Sequence, residues 1–137
     1  MTDDAGSAVV DFALVGGLLS VLFLSIVQLG LVVHVRNTLI DCAAQGARYG
    51  ARAGRLPDDG IARTRELVAA ELSAEYAARL SDVSAAVVER SGVRAVEVRL
   101  TAPLPLVGLV GPTGELTVQG HAFAEQPPPP PSPVPPA

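Results

Sequence analysis

The first third of the chain is dominated by an uninterrupted apolar run. No charged residue occurs from Phe12 to Val33, a stretch of 22 residues. A helix of that length spans about 33 Å, and the hydrocarbon core of a bilayer is about 30 Å thick. The pattern predicts one transmembrane helix. A cleaved secretory signal is the alternative, but the run is long for one, Met1 to Gly6 contains no basic residue, and residues 33–36 offer no small-residue cleavage site.

After Val33 the pattern changes to small residues that alternate with charged ones, and no helix breaker occurs before Pro57. We therefore expect the helix to continue to about Ala53. Small and apolar residues at three- and four-residue spacing form one narrow face of this extension, which predicts close packing against another helix. The face consists of Leu39, Cys42, Ala43, Gly46 and Gly50.

The turn sequence LPDDG at 56–60 is followed by an amphipathic pattern that predicts a single helix over 61–80. Its apolar stripe consists of Ile61, Val68, Leu72, Tyr76 and Leu80, and the charged residues Arg65, Glu66, Glu75 and Arg79 lie off that stripe.

Two short segments predict strands over 83–90 and 93–102, of which the second alternates cleanly. They are separated by Ser91 and Gly92, and the glycine indicates a hairpin. A third strand is predicted over 114–125. The connection PLPLVGLVGPTG, which begins at Pro103, is expected to stay outside the ladder because it is rich in proline and glycine.

The sequence thus predicts an α+β fold in which a long N-terminal transmembrane helix extends into a small extracytoplasmic domain. That domain has one amphipathic helix and roughly three antiparallel strands. We expect residues 7–54 to form the helix, with about 12–33 in the membrane, and residues 55–125 to form the domain. Residues 126–137 are expected to be a disordered proline-rich tail.

Composition narrows the function classes. The net charge is −4, and the ten basic residues, all arginine, are spread along the chain, so we expect no nucleic-acid partner. Cys42 is the only cysteine, and neither His34 nor His121 has a second ligand at metal-site spacing. The segment GLVGPTGE lacks the glycine spacing and the lysine of a phosphate-binding loop. We expect no catalytic residue, metal, cofactor or small-molecule substrate, and hence no enzyme.

The carboxylate of Asp11 lies just before the apolar run. A charge costs roughly 2.5 to 3.5 kcal/mol at the centre of a membrane helix and less near its end. Asp11 therefore either lies at the interface, where it complements the positive end of the helix dipole, or has a charged partner.

The order Gly6, Ser7 and Asp11, followed by Phe12 and the apolar run, resembles a type IV prepilin processing site. The segment from Gly6 to Gly30, with AAQGARYGAR from Ala43, is more closely similar to TadE-like proteins. These are minor pilins or pseudopilins of the tight-adherence (Tad, Flp) pilus system. The resemblance covers roughly residues 6–54.

The resemblance implies that residues 1–6 are a leader and that a prepilin peptidase cuts between Gly6 and Ser7. It gives Asp11 the role of the acid that pairs with the new Ser7 ammonium of a neighbouring subunit, and Phe12 starts the buried helix. Small-residue contacts for helix packing are expected at Ala13, Gly16, Gly17 and Ser20. The sequence departs from the family pattern in two ways. Asp11 stands where the family usually has glutamate, and Asp3 and Asp4 stand where basic residues are usual.

The function implied is that of a non-enzymatic subunit of a pilus or secretion apparatus, which contacts the membrane and other pilin or pseudopilin subunits. Its N-terminus would be cytoplasmic and its C-terminal domain extracytoplasmic. The positive-inside rule, applied to Arg36, Arg48 and Arg52, predicts the opposite orientation. The alternative function is an unprocessed membrane scaffold or regulator that recruits a partner through its proline-rich tail.

Overall fold

A computed structural model describes residues 3–105 and 114–125 of the chain. The described residues form three helices and one sheet, so the predicted α+β class is confirmed. The elements are α1 (Asp3–Gly50), α2 (Pro57–Glu71), α3 (Ala74–Ala78), β1 (Asp82–Arg90), β2 (Val93–Pro103) and β3 (Glu115–Phe123).

Helix α1 is one continuous rod of 48 residues, about 72 Å long. Its two halves have different surroundings. Every residue from Gly6 to Val27 is exposed, whereas one side of the helix is buried from Val35 onward. The helix therefore projects from the small domain and also forms part of that domain. It ends at Gly50, three residues before the predicted end.

The three strands form an antiparallel sheet in the order β1-β2-β3, as predicted. Ser91 and Gly92 join β1 to β2, with φ angles of 53° and 78°. Two consecutive residues with positive φ make a type I′ turn, whose twist matches that of the paired strands. The predicted hairpin is confirmed.

The prediction of one amphipathic helix over 61–80 is wrong in its bounds. Helix α2 already begins at Pro57, where a missing N–H costs nothing, and the Asp59 carboxylate accepts the Leu56 N–H at 2.9 Å. A second helix begins after Ser73, whose hydroxyl oxygen accepts the Tyr76 N–H at 3.0 Å. Such a cap favours a new helix start over continuation. The predicted apolar stripe nevertheless faces the core.

Pro103 also differs from the prediction, because it is the last residue of β2, paired with Glu115. A strand end tolerates proline because no further ladder bond from its nitrogen is needed. The Pro103 carbonyl instead accepts the Tyr76 hydroxyl at 2.7 Å. Most of the predicted connection, residues 106–113, and the predicted disordered tail, residues 126–137, lie outside the described residues.

The core lies where α1 crosses the sheet and packs against α2, and the predicted small-residue face of α1 makes these contacts. Glycines allow the backbones to touch. A Cβ atom at Gly60 would lie 2.6 Å from the Gly46 carbonyl oxygen, and one at Gly120 would lie 2.5 Å from the carbonyl carbon of Ala43. The principal buried side chains are Val35, Leu39, Cys42, Ala43, Ala47, Val68, Val98, Leu100 and Val118.

Candidate functional site on the long helix

The N-terminal half of α1 exposes a continuous apolar surface. Phe12 is 81% exposed, Leu18 69% and Phe23 70%, and the large apolar residues between them are also exposed. Soluble monomers rarely show contiguous apolar patches this large. This half of the helix therefore needs lipid or other protein around it.

A membrane suits this surface in length and composition. The span of residues 6–50 includes an 18-residue window with a mean hydropathy of 2.4, of which only 6% is buried. The helix is thus not the buried core helix of a soluble domain. Its N-terminal position and apolar surface indicate a membrane-anchored protein.

Four of the predicted site residues lie in the first turns of α1. Gly6, Ser7, Asp11 and Phe12 are all exposed and lie far along the helix from the folded domain. A Cβ atom at Gly6 would meet nothing within 4 Å. Asp11 is one helical turn, about 6 Å, beyond Ser7. Among the described residues, the side chain of Asp11 makes no ion pair.

The predicted packing residues Ala13, Gly16, Gly17 and Ser20 share one side of α1, because their helical positions fall within about 100° of one another. The Ser20 hydroxyl donates to the Gly16 carbonyl at 2.8 Å, which satisfies it within the helix. Asp11 lies about 160° around the helix from Ala13. The acid and the small residues therefore occupy opposite sides of α1.

The two histidines and the cysteine, for which the sequence predicts no catalytic or metal-binding role, lie at positions that suit a purely structural role. His34 is exposed just beyond the apolar run, and His121 lies on the outer side of the sheet, 3.4 Å from Arg90. Burial, followed by the nearby carboxylates of Glu71 and Asp41, raises the pKa of the Cys42 thiol to about 11. A protonated buried thiol is a poor nucleophile. No cluster suited to a metal ion occurs within residues 3–105 and 114–125.

The structure gathers arginines that appeared spread along the sequence. The guanidinium carbons of Arg52 and Arg55 lie 5.7 and 4.7 Å from the centroid of the Tyr49 ring, at cation–π distance. Arg48 and Arg63 line the surface beside the same ring. Arg52 and Arg55 lie beyond the end of α1 at Gly50, so helical spacing does not account for their position beside Tyr49. The contribution of Arg63 requires the packing of α2 against α1.

Comparison with known protein families finds a match to the TadE-like protein family over residues 6–48. The match confirms the resemblance over that segment, which is less than half of the chain, and supports an association with the Tad pilus system, whose TadE-like family is generally non-enzymatic. It covers the exposed half of α1 and most of the half that packs in the domain. Neither the curated proteins nor the solved structures contain a significant match.

Proposed function

Since residues 6–48 match the TadE-like family, we propose that the protein is a minor pilin or pseudopilin of a Tad pilus or a related secretion apparatus. The observation that carries the proposal is the exposed apolar half of α1 with a carboxylate near its N-terminal end. A helix of this kind anchors a subunit in the membrane before assembly. It also supplies the surface through which subunits contact one another.

In this proposal a prepilin peptidase cleaves between Gly6 and Ser7 on the cytoplasmic side. The C-terminal domain then lies outside the cytoplasm. Gly6 has open space around it, so its absence of a side chain serves no packing role within the subunit. Recognition by the peptidase accounts for a glycine there. Cleavage creates an ammonium group at Ser7.

Asp11 supplies the charge that neutralises this ammonium in a neighbouring subunit. Side chains on a helix tilt toward its N-terminus, so the Asp11 carboxylate is directed toward the end at which the ammonium forms. Neither group has a compensating charge in its own domain, because the domain lies several turns away. Pairing between subunits satisfies both groups in a medium where an isolated charge is costly.

The opposite side of α1 provides a second contact. Gly16 and Gly17 have no atom within 4 Å of a Cβ position, so a neighbouring helix can approach the backbone there. One neighbour would thus pack against the small residues, and another would pair with Asp11. A subunit with two such sides can extend an assembly in two directions.

Mass spectrometry of the mature N-terminus tests the processing step. We predict a chain that begins at Ser7, and we predict that Gly6→Ala blocks this cleavage because the added methyl group obstructs a site shaped for glycine. Gly16→Ala is the matched control and should be cleaved normally. A mature chain that retains Met1 would instead support the unprocessed scaffold that acts through its proline-rich tail.

Substitution of Asp11 tests the pairing. If Asp11 only complements the helix dipole, Asp11→Asn costs roughly 0.3 to 1 kcal/mol and assembly stays nearly normal. If Asp11 pairs with a buried ammonium, the unpaired charge costs roughly 3 to 5 kcal/mol per contact. We predict that Asp11→Asn inserts into the membrane but does not co-purify with pilin partners, whereas Asp11→Glu does. Equal co-purification of the Asn form would refute the pairing.

A further inference from the structure

An open pocket of about 310 Å³ lies between α1 and the β3 side of the sheet. Two arginines, Arg36 from α1 and Arg99 from β2, line it together with polar and apolar side chains. The other lining residues are Ile40, Thr117, Val118 and Gln119. This lining differs from that of the Tyr49 cluster, which lies farther along α1.

The pocket lies close to the expected membrane surface. The last strongly exposed apolar residue of α1 is Val33, and Arg36 follows it by three residues, a rise of about 4.5 Å. The polar layer on each side of the hydrocarbon core is about 5 to 7 Å thick. Arg36 therefore lies within the headgroup layer when the apolar run fills the hydrocarbon.

The direction of β3 brings the other lining residues to the same level. The Glu125 N–H, just beyond β3, donates to the Ala51 carbonyl at 2.9 Å, and Gly120 contacts the backbone at Ala43. The strand therefore runs alongside α1 in the same direction, with its first residues toward the membrane. Thr117 and Gln119 belong to that lower part of β3.

The pocket has excess positive charge. No ion pair of Arg36 occurs among the described residues. Arg99 donates to the Glu97 carboxylate at 3.2 Å, but the same carboxylate also lies 4.0 Å from Arg90. One carboxylate thus serves two guanidinium groups. Arg99 also donates to the Gln119 side-chain oxygen at 3.4 Å, which leaves the Gln119 amide hydrogens to donate elsewhere.

We propose that this pocket binds the phosphate of an anionic phospholipid headgroup in the membrane that α1 crosses. Guanidinium groups form paired, charge-assisted hydrogen bonds to phosphate oxygens, and basic side chains near the membrane surface attract anionic lipid headgroups. Ile40 and Val118 provide apolar contact for the glycerol region. The lipid would fix the height and rotation of the domain over the membrane. The proposal rests on the membrane anchoring of α1 and not on a pilus role.

Lipid retention tests the site. The full chain is reconstituted in nanodiscs that contain equal amounts of phosphatidylglycerol and phosphatidylcholine, extracted gently, and examined by native mass spectrometry. We expect preferential retention of phosphatidylglycerol. Arg36→Gln and Arg99→Gln should each reduce that preference about tenfold, as expected for loss of a charge-assisted contact. Circular dichroism should show both variants folded, because both side chains are exposed.

The matched control is Arg65→Gln, which removes an exposed arginine from α2 and should retain the lipid as the parent chain does. Equal loss in all three variants would show a general charge effect and overturn the site. Unchanged retention in Arg36→Gln and Arg99→Gln would overturn it as well. Displacement of the lipid by inorganic phosphate would show a site for free phosphate. These results do not depend on cleavage after Gly6 or on pilin partners, so they leave the proposed function to its own tests.

Discussion

Single glycines determine how closely the elements of the domain approach one another. Gly46 of α1 and Gly60 of α2 face each other, and a Cβ atom at Gly46 would lie 2.7 Å from the Gly60 carbonyl oxygen and would also collide with the Thr64 side chain. Gly120 of β3 meets the α1 backbone in the same way. Larger residues at these positions would force the backbones apart. The packing therefore requires residues without a side chain.

We predict that Gly46→Ala destabilises the domain by up to about 2 kcal/mol. Alanine favours a helix over glycine by about 1 kcal/mol, but overpacking against the α2 backbone costs about 1 to 3 kcal/mol. Gly30→Ala is the matched control in the same helix, because a Cβ atom there meets nothing within 4 Å. Thermal unfolding in detergent micelles should show a lower Tm only for Gly46→Ala. A Tm at or above that of the parent chain would contradict the prediction.

The buried thiol of Cys42 makes stability depend on pH above 9. Its pKa rises from 9.0 to about 11 on folding, chiefly through burial, with Glu71 and Asp41 adding to the effect. The folded state therefore holds this proton between pH 9 and 11, where the unfolded state releases it. The stabilisation is fully present below pH 9 and is lost as pH rises through 11, by about 2 to 3 kcal/mol.

Comparison with Cys42→Ala isolates this contribution, since burial also raises the pKa of Tyr76 against the opposing charge of Arg79. We predict that the stability difference between the parent chain and Cys42→Ala shrinks as pH rises from 9 to 11. Unfolding followed by circular dichroism at several pH values measures the difference. A difference that stays constant across this range would mean that the thiol does not contribute.

At the scale of elements, short polar signals decide where helices and strands begin. The Ser73 hydroxyl starts α3, and the Asp59 carboxylate caps the N-terminal end of α2. The β1–β2 hairpin depends on two residues with positive φ, of which the first is Ser91. Serine adopts this conformation less readily than asparagine does. The turn is therefore of the type that hairpins prefer, but its first residue is not the one that favours this conformation most.

We predict that Ser91→Asn stabilises the domain by roughly 0.5 to 1 kcal/mol, because Asn-Gly is strongly preferred in type I′ turns. The Tm should rise by a few degrees. Gly92→Ala should lower it, since the φ of 78° at Gly92 is unfavourable for a residue with a Cβ atom. If Ser91→Asn leaves the Tm unchanged, strain at this turn does not limit the stability of the domain.

At the scale of the whole molecule, α1 joins the membrane anchor to the core of the domain without a flexible joint. Val35, Leu39, Cys42, Ala43 and Ala47 of α1 belong to the same core as the sheet. A displacement of the helix in the membrane is therefore transmitted directly to the domain. A lipid bound at Arg36 and Arg99 would act at the base of this rigid unit.

This arrangement predicts which fragments fold. A fragment of residues 34–125 retains the α1 contribution to the core and should be soluble and unfold cooperatively. A fragment of residues 55–125 lacks that helix, exposes the inner side of the sheet, and should not fold. Thermal unfolding monitored by circular dichroism distinguishes the two. Cooperative unfolding of 55–125 would show that α1 only rests on an independent domain.

The sequence by itself determined the elements whose causes are local. The apolar run specified a membrane-length helix. Alternation over 93–102 and the preceding Gly92 specified the hairpin, and three- and four-residue spacing specified the packing face of α1. The break between α2 and α3 was not predicted. The apolar stripe continues past Ser73, so the periodicity indicates one helix although the Ser73 hydroxyl starts a new one. The roles of Gly6, Ser7 and Asp11 remain predictions, since these residues make no contacts with the domain that a single subunit could reveal.

Only the tertiary structure decided which distant residues meet. Residues of separate elements meet in the contact of Gly46 with Gly60, in the arginines around Tyr49, and in the pocket that Arg36 and Arg99 both line. Sequence spacing orders residues within one helix or strand, but it does not set the rotation of α1 against the sheet. That rotation follows from the simultaneous packing of α1 with α2 and β3, in which glycines at three positions let the backbones touch.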